Sequence, residues 1–229
     1  MKRVVFGALF VGVFACSAIA ADLSTKETKR IEESATVLKE IHAVPDKDIP
    51  QDLWEKAECV IVVPGLKKAA FVVGGEYGSG LMSCKHNGTW SAPVFMQVEK
   101  GSWGLQIGAQ AIDLVMLVMN KSGMEKMLKN KVSLGAEASV AAGPVGRDGR
   151  AATDAQMKAE ILSYSRTQGL FAGINLSGGV VKPDTDANTD MYGKNVSATD
   201  VVMGNNVKVP EAAAPFMLAL RRGDQAATK

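Results

Sequence analysis

Ile31, Ala35, Leu38 and Ile41 recur at three- and four-residue intervals among charged neighbours, a spacing that predicts an amphipathic helix. Ser24 and Glu27 ahead of them have the separation of a capping box. Pro45 and Asp48 break the pattern, and Pro50 opens a shorter helix through Leu53 and Trp54. From Cys59 to about Ala142 the chain turns strand-rich and glycine-rich. Residues 59–63 form a fully apolar strand stopped by Pro64-Gly65, and residues 69–73 form another ending at Gly74-Gly75. Residues 79–85 make a third, followed by Asn87-Gly88, a strong hairpin signal. Residues 90–99 and 103–110 read as the next pair, joined at Lys100-Gly101-Ser102. Residues 113–119 fit strand or buried helix by period, and their valines and length favour strand.

Ser122 and Glu125 repeat the capping-box spacing and start a short helix through Met127 and Leu128; residues 132–142 return to strand. Residues 143–149 are loop by composition, and residues 158–166 with 170–181 read as a closing hairpin around Gln168-Gly169. Short helices follow near 184–191, 198–203 and 210–222. The expected fold is α+β: a mainly antiparallel, glycine-rich, curled or barrel-like sheet with N-terminal and C-terminal helices. No long linker and no short-period repeat appears, so residues 21–229 read as a single domain.

Residues 1–20 stand apart. Lys2 and Arg3 precede an apolar stretch over residues 4–14, and Ala18-Ile19-Ala20 is an A-x-A cleavage pattern that places Ala21 first in the mature chain. Read as an uncleaved anchor, the segment is barely long enough to span a bilayer, and no stop-transfer charges follow. The expectation is an exported, periplasmic protein. Val13-Phe14-Ala15-Cys16 resembles a lipobox, so acylation at Cys16 is the alternative route, giving a membrane-anchored lipoprotein. Either route leaves Cys59 and Cys84 as a pair, to be bonded in an oxidising compartment or to stand as two buried thiols.

Catalytic and cofactor patterns fail on inspection. Gly75, Gly78 and Gly80 reverse the dinucleotide-binding order and precede a strand, so tight turns account for them. Asp184, Asp186, Asn188 and Asp190 alternate like half of a calcium loop, but Thr189 and Asn195 stand where glycine and a bidentate glutamate belong. His42 and His86 are too isolated for zinc, and no nucleophile–base arrangement is recognisable. Glu76, Glu99, Asp113, Glu137 and Glu160 lie in or beside apolar strands, yet no spacing selects two of them as a carboxylate pair. No metal, no cofactor and no enzyme activity is implied.

The formal net charge is +2, but both excess bases lie in residues 1–20; the remainder carries 24 bases and 24 acids. That balance removes the support for a nucleic-acid partner. Charge is instead local. Residues 22–58 hold ten acids and six bases, whereas residues 121–150 hold six bases and three acids. Lys126 and Lys129 share a helical face with Lys131 just beyond, and Lys67-Lys68 sits between apolar strands.

Several ordered motifs resemble the SYLF domain family over roughly residues 25–222. They run from Gly65-Leu66-Lys67-Lys68-Ala69-Ala70-Phe71, Gly74-Gly75 and Gly78-Ser79-Gly80 through Trp90-Ser91-Ala92-Pro93, residues 104–110 (GLQIGAQ) and Asp113-Leu114-Val115. Leu134-Gly135, residues 141–147 (AAGPVGR), Ser163-Tyr164-Ser165-Arg166, residues 169–173 (GLFAG) and Tyr192-Gly193 continue the series. The resemblance implies a lipid-binding module; eukaryotic members are associated with phosphoinositide membranes and some with actin, and bacterial members are commonly exported. What carries over is binding of anionic phospholipid or a membrane surface. Lys67, Lys68, Lys126, Lys129 and Lys131 are then the headgroup-attracting residues, with Trp90 or Trp103 as interfacial anchors. Two other readings stay open: a carrier of an apolar ligand in a sheet cavity, and a structural envelope protein that binds another protein.

Overall fold

The computed structural model describes residues 23–41, 49–70, 73–86, 88–103, 108–146, 158–167, 170–204 and 207–226. Residues 1–22, with Cys16, Ala20 and Ala21 of the expected export signal, lie outside them. The fold is α+β, built on one curled, mostly antiparallel sheet with helices at both ends of the chain. Helix α1 (Thr25–Ile41) begins at the expected cap: Glu27 accepts a hydrogen bond from the Ser24 N–H at 2.7 Å. Helix α2 (Gln51–Lys56) follows. Strands β1 (Cys59–Ala70), β2 (Val73–His86), β3 (Thr89–Trp90), β4 (Val94–Trp103) and β5 (Gly108–Val118) come next.

Four strands make the middle of the sheet, in the order β4-β2-β1-β5. The expected pairing of residues 90–99 with 103–110 is therefore corrected: β4 pairs with β2, and β5 pairs with β1. The stop at Pro64-Gly65 is also corrected. β1 runs through it with a shift of register between Val63 and Leu66, and Gly65 takes a φ of +56° that suits glycine. Its N–H, lost to the ladder, donates to Asp113 Oδ1 at 2.9 Å.

This bulge explains Gly78 and Gly80, which serve close approach of strands and not tight turns. A Cβ on Gly80 would lie 1.9 Å from the Val62 carbonyl oxygen, and one on Gly78 would lie 2.5 Å from Val63 Cγ1. Helix α3 (Lys121–Met127) is capped by Asn120, whose side chain accepts from the Gly123 N–H, and not by Ser122 as the spacing suggested.

Residues 132–142 split into β6 (Val132–Ser133) and β7 (Val140–Ala142). Strand β8 (Ile161–Thr167) forms the expected hairpin with β9 (Leu170–Gly173), but β10 (Gly179–Pro183) leaves it and pairs with β4 and β6. β6 and β7 stand at opposite ends of the strand order, yet only residues 134–139 separate them, so the sheet must curl for both to be reached. Helices α4 (Thr185–Tyr192), α5 (Ala198–Met203) and α6 (Ala214–Ala226) complete the chain.

The sheet is buried on both faces, which is why residues 59–63 are apolar without alternation. Val60, Val62, Leu81, Phe95, Val115 and Leu117 face one core with Ile31 and Leu38 of α1, Trp54 of α2, and Phe216 and Leu220 of α6. Ile61, Val63, Met82, Met96, Leu114 and Met116 face the other with Met124 and Met127 of α3, and Val201 and Val202 of α5. Each such side chain contributes about 1.5–3 kcal/mol of burial. The second core lines the inside of the half-barrel with buried side chains among the described residues. In the second core, Cys59 and Cys84 face each other across β1 and β2 and are joined by a disulfide.

Candidate functional site

Past the bulge the alternation of β1 restarts, with Leu66 in the inner core and Lys67 on the side of α1. Lys67 stands opposite Tyr77 of β2. The Ser79 hydroxyl donates to the Tyr77 hydroxyl at 3.2 Å, and Tyr77 is 49% exposed, unlike Phe95, Tyr164 and Phe171 of the same sheet, which are buried. The first turns of α1 pass over this floor and contribute Lys26, Lys29, Arg30 and Glu33 to an open groove of about 450 Å³.

The cations of the groove differ in availability. Arg30 is committed: its Nη1 lies 2.8 Å from Asp184 Oδ2 and its guanidinium sits 5.2 Å from the Phe95 ring centre. Lys29 makes only a surface pair with Glu33 one turn on, at 3.5 Å with both side chains well exposed, an interaction worth little. Lys26 and Lys67 make no ion pair among the described residues. Three ammonium groups from two elements can thus take one anionic group.

A second cleft of about 440 Å³ continues the groove along α1, sharing Lys29, Glu33, Pro64 and Gly65. Its character is reversed. Glu32, Glu33, Glu40 and Asp113 line it, and Arg166 answers the last two, with its Nε 3.0 Å from Asp113 Oδ2 and its Nη1 bonded to Glu40. Together the clefts form one trough, positive at the start of α1 and negative toward its end.

The sequence profile described as "Ysc84: Las17-binding protein actin regulator" matches residues 99–223. The chain belongs to the Ysc84 family. This is the SYLF family to which the motifs point. An SH3 domain-containing protein of Schizosaccharomyces pombe is 34% identical over 188 residues, 77% of this chain and 43% of that protein. Protein YSC84 of Saccharomyces cerevisiae is 31% identical over 179 residues, 76% of this chain and 38% of that protein. SH3 domain-containing YSC84-like protein 1 of Mus musculus is 30% identical over 189 residues, 80% and 54% of the two chains. The chain thus spans only about half, or less, of these relatives.

In this Ysc84-family chain the lysines expected to act together are dispersed. Lys68 points to the other side of β1 from Lys67 and pairs with Glu76 at 3.1 Å. Lys126 is a structural group: its Nζ donates to both Glu160 oxygens at 2.7 and 2.8 Å. Glu160 also accepts from the Ser122 hydroxyl and the Ser139 N–H. Burial pushes the Glu160 carboxyl up, but the hydrogen bonds from Lys126, Ser122 and Ser139 and the Lys126 charge outweigh it and bring it down to about 2. Lys129 and Lys131 are exposed beside Glu137, whose carboxyl is held low chiefly by hydrogen bonds from Ser133 and further by these two charges. Between Lys67 on β1 and β6, which follows Lys131, stand β2, β4 and β10, roughly 19 Å along the sheet at about 4.8 Å per strand. They do not make one patch.

Trp90 is corrected as an interfacial anchor. It is 6% exposed, its Nε1 donates to Asp224 Oδ2 at 2.6 Å, and the Lys85 ammonium lies 4.7 Å from its ring centre, so it fastens α6 to β3. Trp103 ends β4 opposite Val73, and its side chain lies outside the described residues. The residues of the calcium-like run serve the fold: Asp184 holds Arg30, and Asn188 exchanges two hydrogen bonds with the Phe95 backbone. Sequence reasoning passed over Lys26, Lys29 and Tyr77. The signal was there in the three-residue separation of Lys26 and Lys29 on the polar face of α1, masked by the acidic balance of the region around it.

Proposed function

We propose that this chain is a non-enzymatic phospholipid-binding protein of the bacterial cell envelope, which takes anionic headgroups in the groove between α1 and the β1–β2 floor. The observation that carries the reading is the convergence of Lys26, Lys29 and Lys67 on one open groove beside a half-exposed tyrosine. A phosphodiester suits three ammonium groups with no strong protein partner, and Tyr77 offers an amphipathic ring at the headgroup level. Family membership supports a binding role over a catalytic one. Among the described residues no helix is long and apolar enough to cross a membrane. Residues 1–20 supply the expectation of export, and with Cys16 acylated, Lys26 would lie within about 35 Å of the anchored residue along an extended chain.

Vesicle co-sedimentation tests it. Phosphatidylglycerol vesicles are expected to capture the protein at low salt and release it as salt rises, with phosphatidylcholine vesicles far weaker. Each of Lys26→Glu, Lys29→Glu and Lys67→Glu should weaken capture at least fivefold, from about 1 kcal/mol per base near an anionic surface. Lys129→Glu with Lys131→Glu should do less than Lys67→Glu alone. Capture by no vesicle, or capture unchanged by the triple reversal, would overturn the reading.

A further inference from the structure

The trough is not uniformly basic, and its polarity has chemical content. Lys29 and Glu33 belong to both clefts and are one helical turn apart, a rise of about 6 Å along α1. On one side of that step stand the unpaired Lys26 and Lys67 with Lys29, held only by its exposed pair to Glu33; on the other the carboxylates not answered by Arg166 are Glu32 and Glu33. A plain anionic headgroup satisfies the first side and is repelled by the second. A headgroup that carries a primary ammonium two carbons from its phosphodiester satisfies both.

We infer that the trough selects an aminophospholipid headgroup of the phosphoethanolamine type, with the phosphodiester on Lys26, Lys29 and Lys67 and the ammonium on Glu33 and Glu32. This rests on the phospholipid reading above and adds a second point of recognition to it. Binding exchanges the exposed Lys29–Glu33 pair for two interactions of the same sign with the ligand, an exchange that costs little because the pair is solvated: the two side chains are 71% and 49% exposed. Glu33 and Glu32 then meet an ammonium with three donors, and the lysines meet an acceptor-only phosphodiester, so each end of the headgroup lies against charge of the opposite sign. The same arrangement acts against a headgroup lacking the ammonium, since Glu33 remains beside the bound phosphate.

Soluble headgroups separate this from simple anion attraction. The full chain would be titrated by NMR with glycerophosphoethanolamine and with glycerophosphoglycerol, and assayed in parallel on phosphatidylglycerol vesicles. We expect glycerophosphoethanolamine to bind about five- to tenfold more tightly. Glu33→Gln, on the solvent side of α1 and expected to leave the thermal midpoint in place, should move the two ligands in opposite directions, weakening the ethanolamine form and strengthening the glycerol form. Lys67→Glu should weaken both. Equal or weaker binding of the ethanolamine form, with the vesicles still captured, would overturn this inference and leave the phospholipid reading intact. Failure of both headgroups and of the vesicles would remove both.

Discussion

Glu160 joins three parts of the chain: Ser122 and Lys126 of α3, Ser139 before β7, and its own position ahead of β8. If that junction is structural, Glu160→Gln should destabilise the protein in a pH-dependent way. A carboxyl at about 2 in the folded chain against 4.5 unfolded corresponds to roughly 3 kcal/mol at ~1.36 kcal/mol per unit. The side chain is still 14% exposed and edges on solvent, so on the order of 1–2 kcal/mol is the discounted expectation. Because the folded pKa is depressed, the contribution is complete above about pH 4.5 and fades as pH falls toward 2; roughly 60% of it is gone at pH 3. Urea unfolding followed by circular dichroism should show the variant about 1–2 kcal/mol less stable at pH 7 and the gap less than half as large at pH 3. Lys126→Gln should lower stability by a similar amount and leave vesicle capture unchanged. A gap equal at both pH values, or Lys126→Gln that abolishes capture while leaving stability intact, would refute the assignment of these two residues to the fold.

Gly80→Ala should cost more than 2 kcal/mol, because the clash is with the Val62 backbone oxygen and cannot be relieved by turning a side chain; a thermal melt lowered by well over 4 °C checks it. Reduction of the Cys59–Cys84 bond, whose partners are 25 residues apart, should remove roughly 3 kcal/mol in denaturant, and the double serine variant should not respond to reductant. Trp90→Phe deletes the hydrogen bond to Asp224 and should destabilise by about 1–2 kcal/mol without altering vesicle capture; a loss of capture at unchanged stability would return Trp90 to the surface.

Local patterns carried well from sequence to structure where the cause was local. The α1 stripe, the apolar run of β1 and the β2–β3 hairpin closed at Gly88 each arise from local sequence. Partner choice did not carry, because period specifies a strand but not its neighbour: β5 skips β4 for β1, and β10 abandons β9 for the far edge. Pro64-Gly65 reads as a stop because the acceptor that lets β1 continue, Asp113, is 48 residues away. The candidate site failed for the same reason in reverse. Lysine density over residues 121–150 suggested a patch, but the Lys126 charge is consumed by Glu160, 34 residues on. The groove draws Lys67 from the sheet and Lys26 and Lys29 from a helix in an acidic stretch, a juxtaposition that exists only once α1 lies across β1 and β2.

The packing of α6 along α1 sets a schedule for the nascent chain. Ile31, Leu38 and Ile41 share their core with Phe216, Met217 and Leu220, so α1 waits for α6, about 170 residues later, before its apolar stripe is fully covered. Through most of synthesis that stripe is available to chaperones, and the disulfide pair at residues 59 and 84 emerges long before the lid that seals the sheet above it. A chain ordered this way completes its outer core only after its C-terminal turns are released. It also makes truncation at the C-terminus a defect of the N-terminal helix.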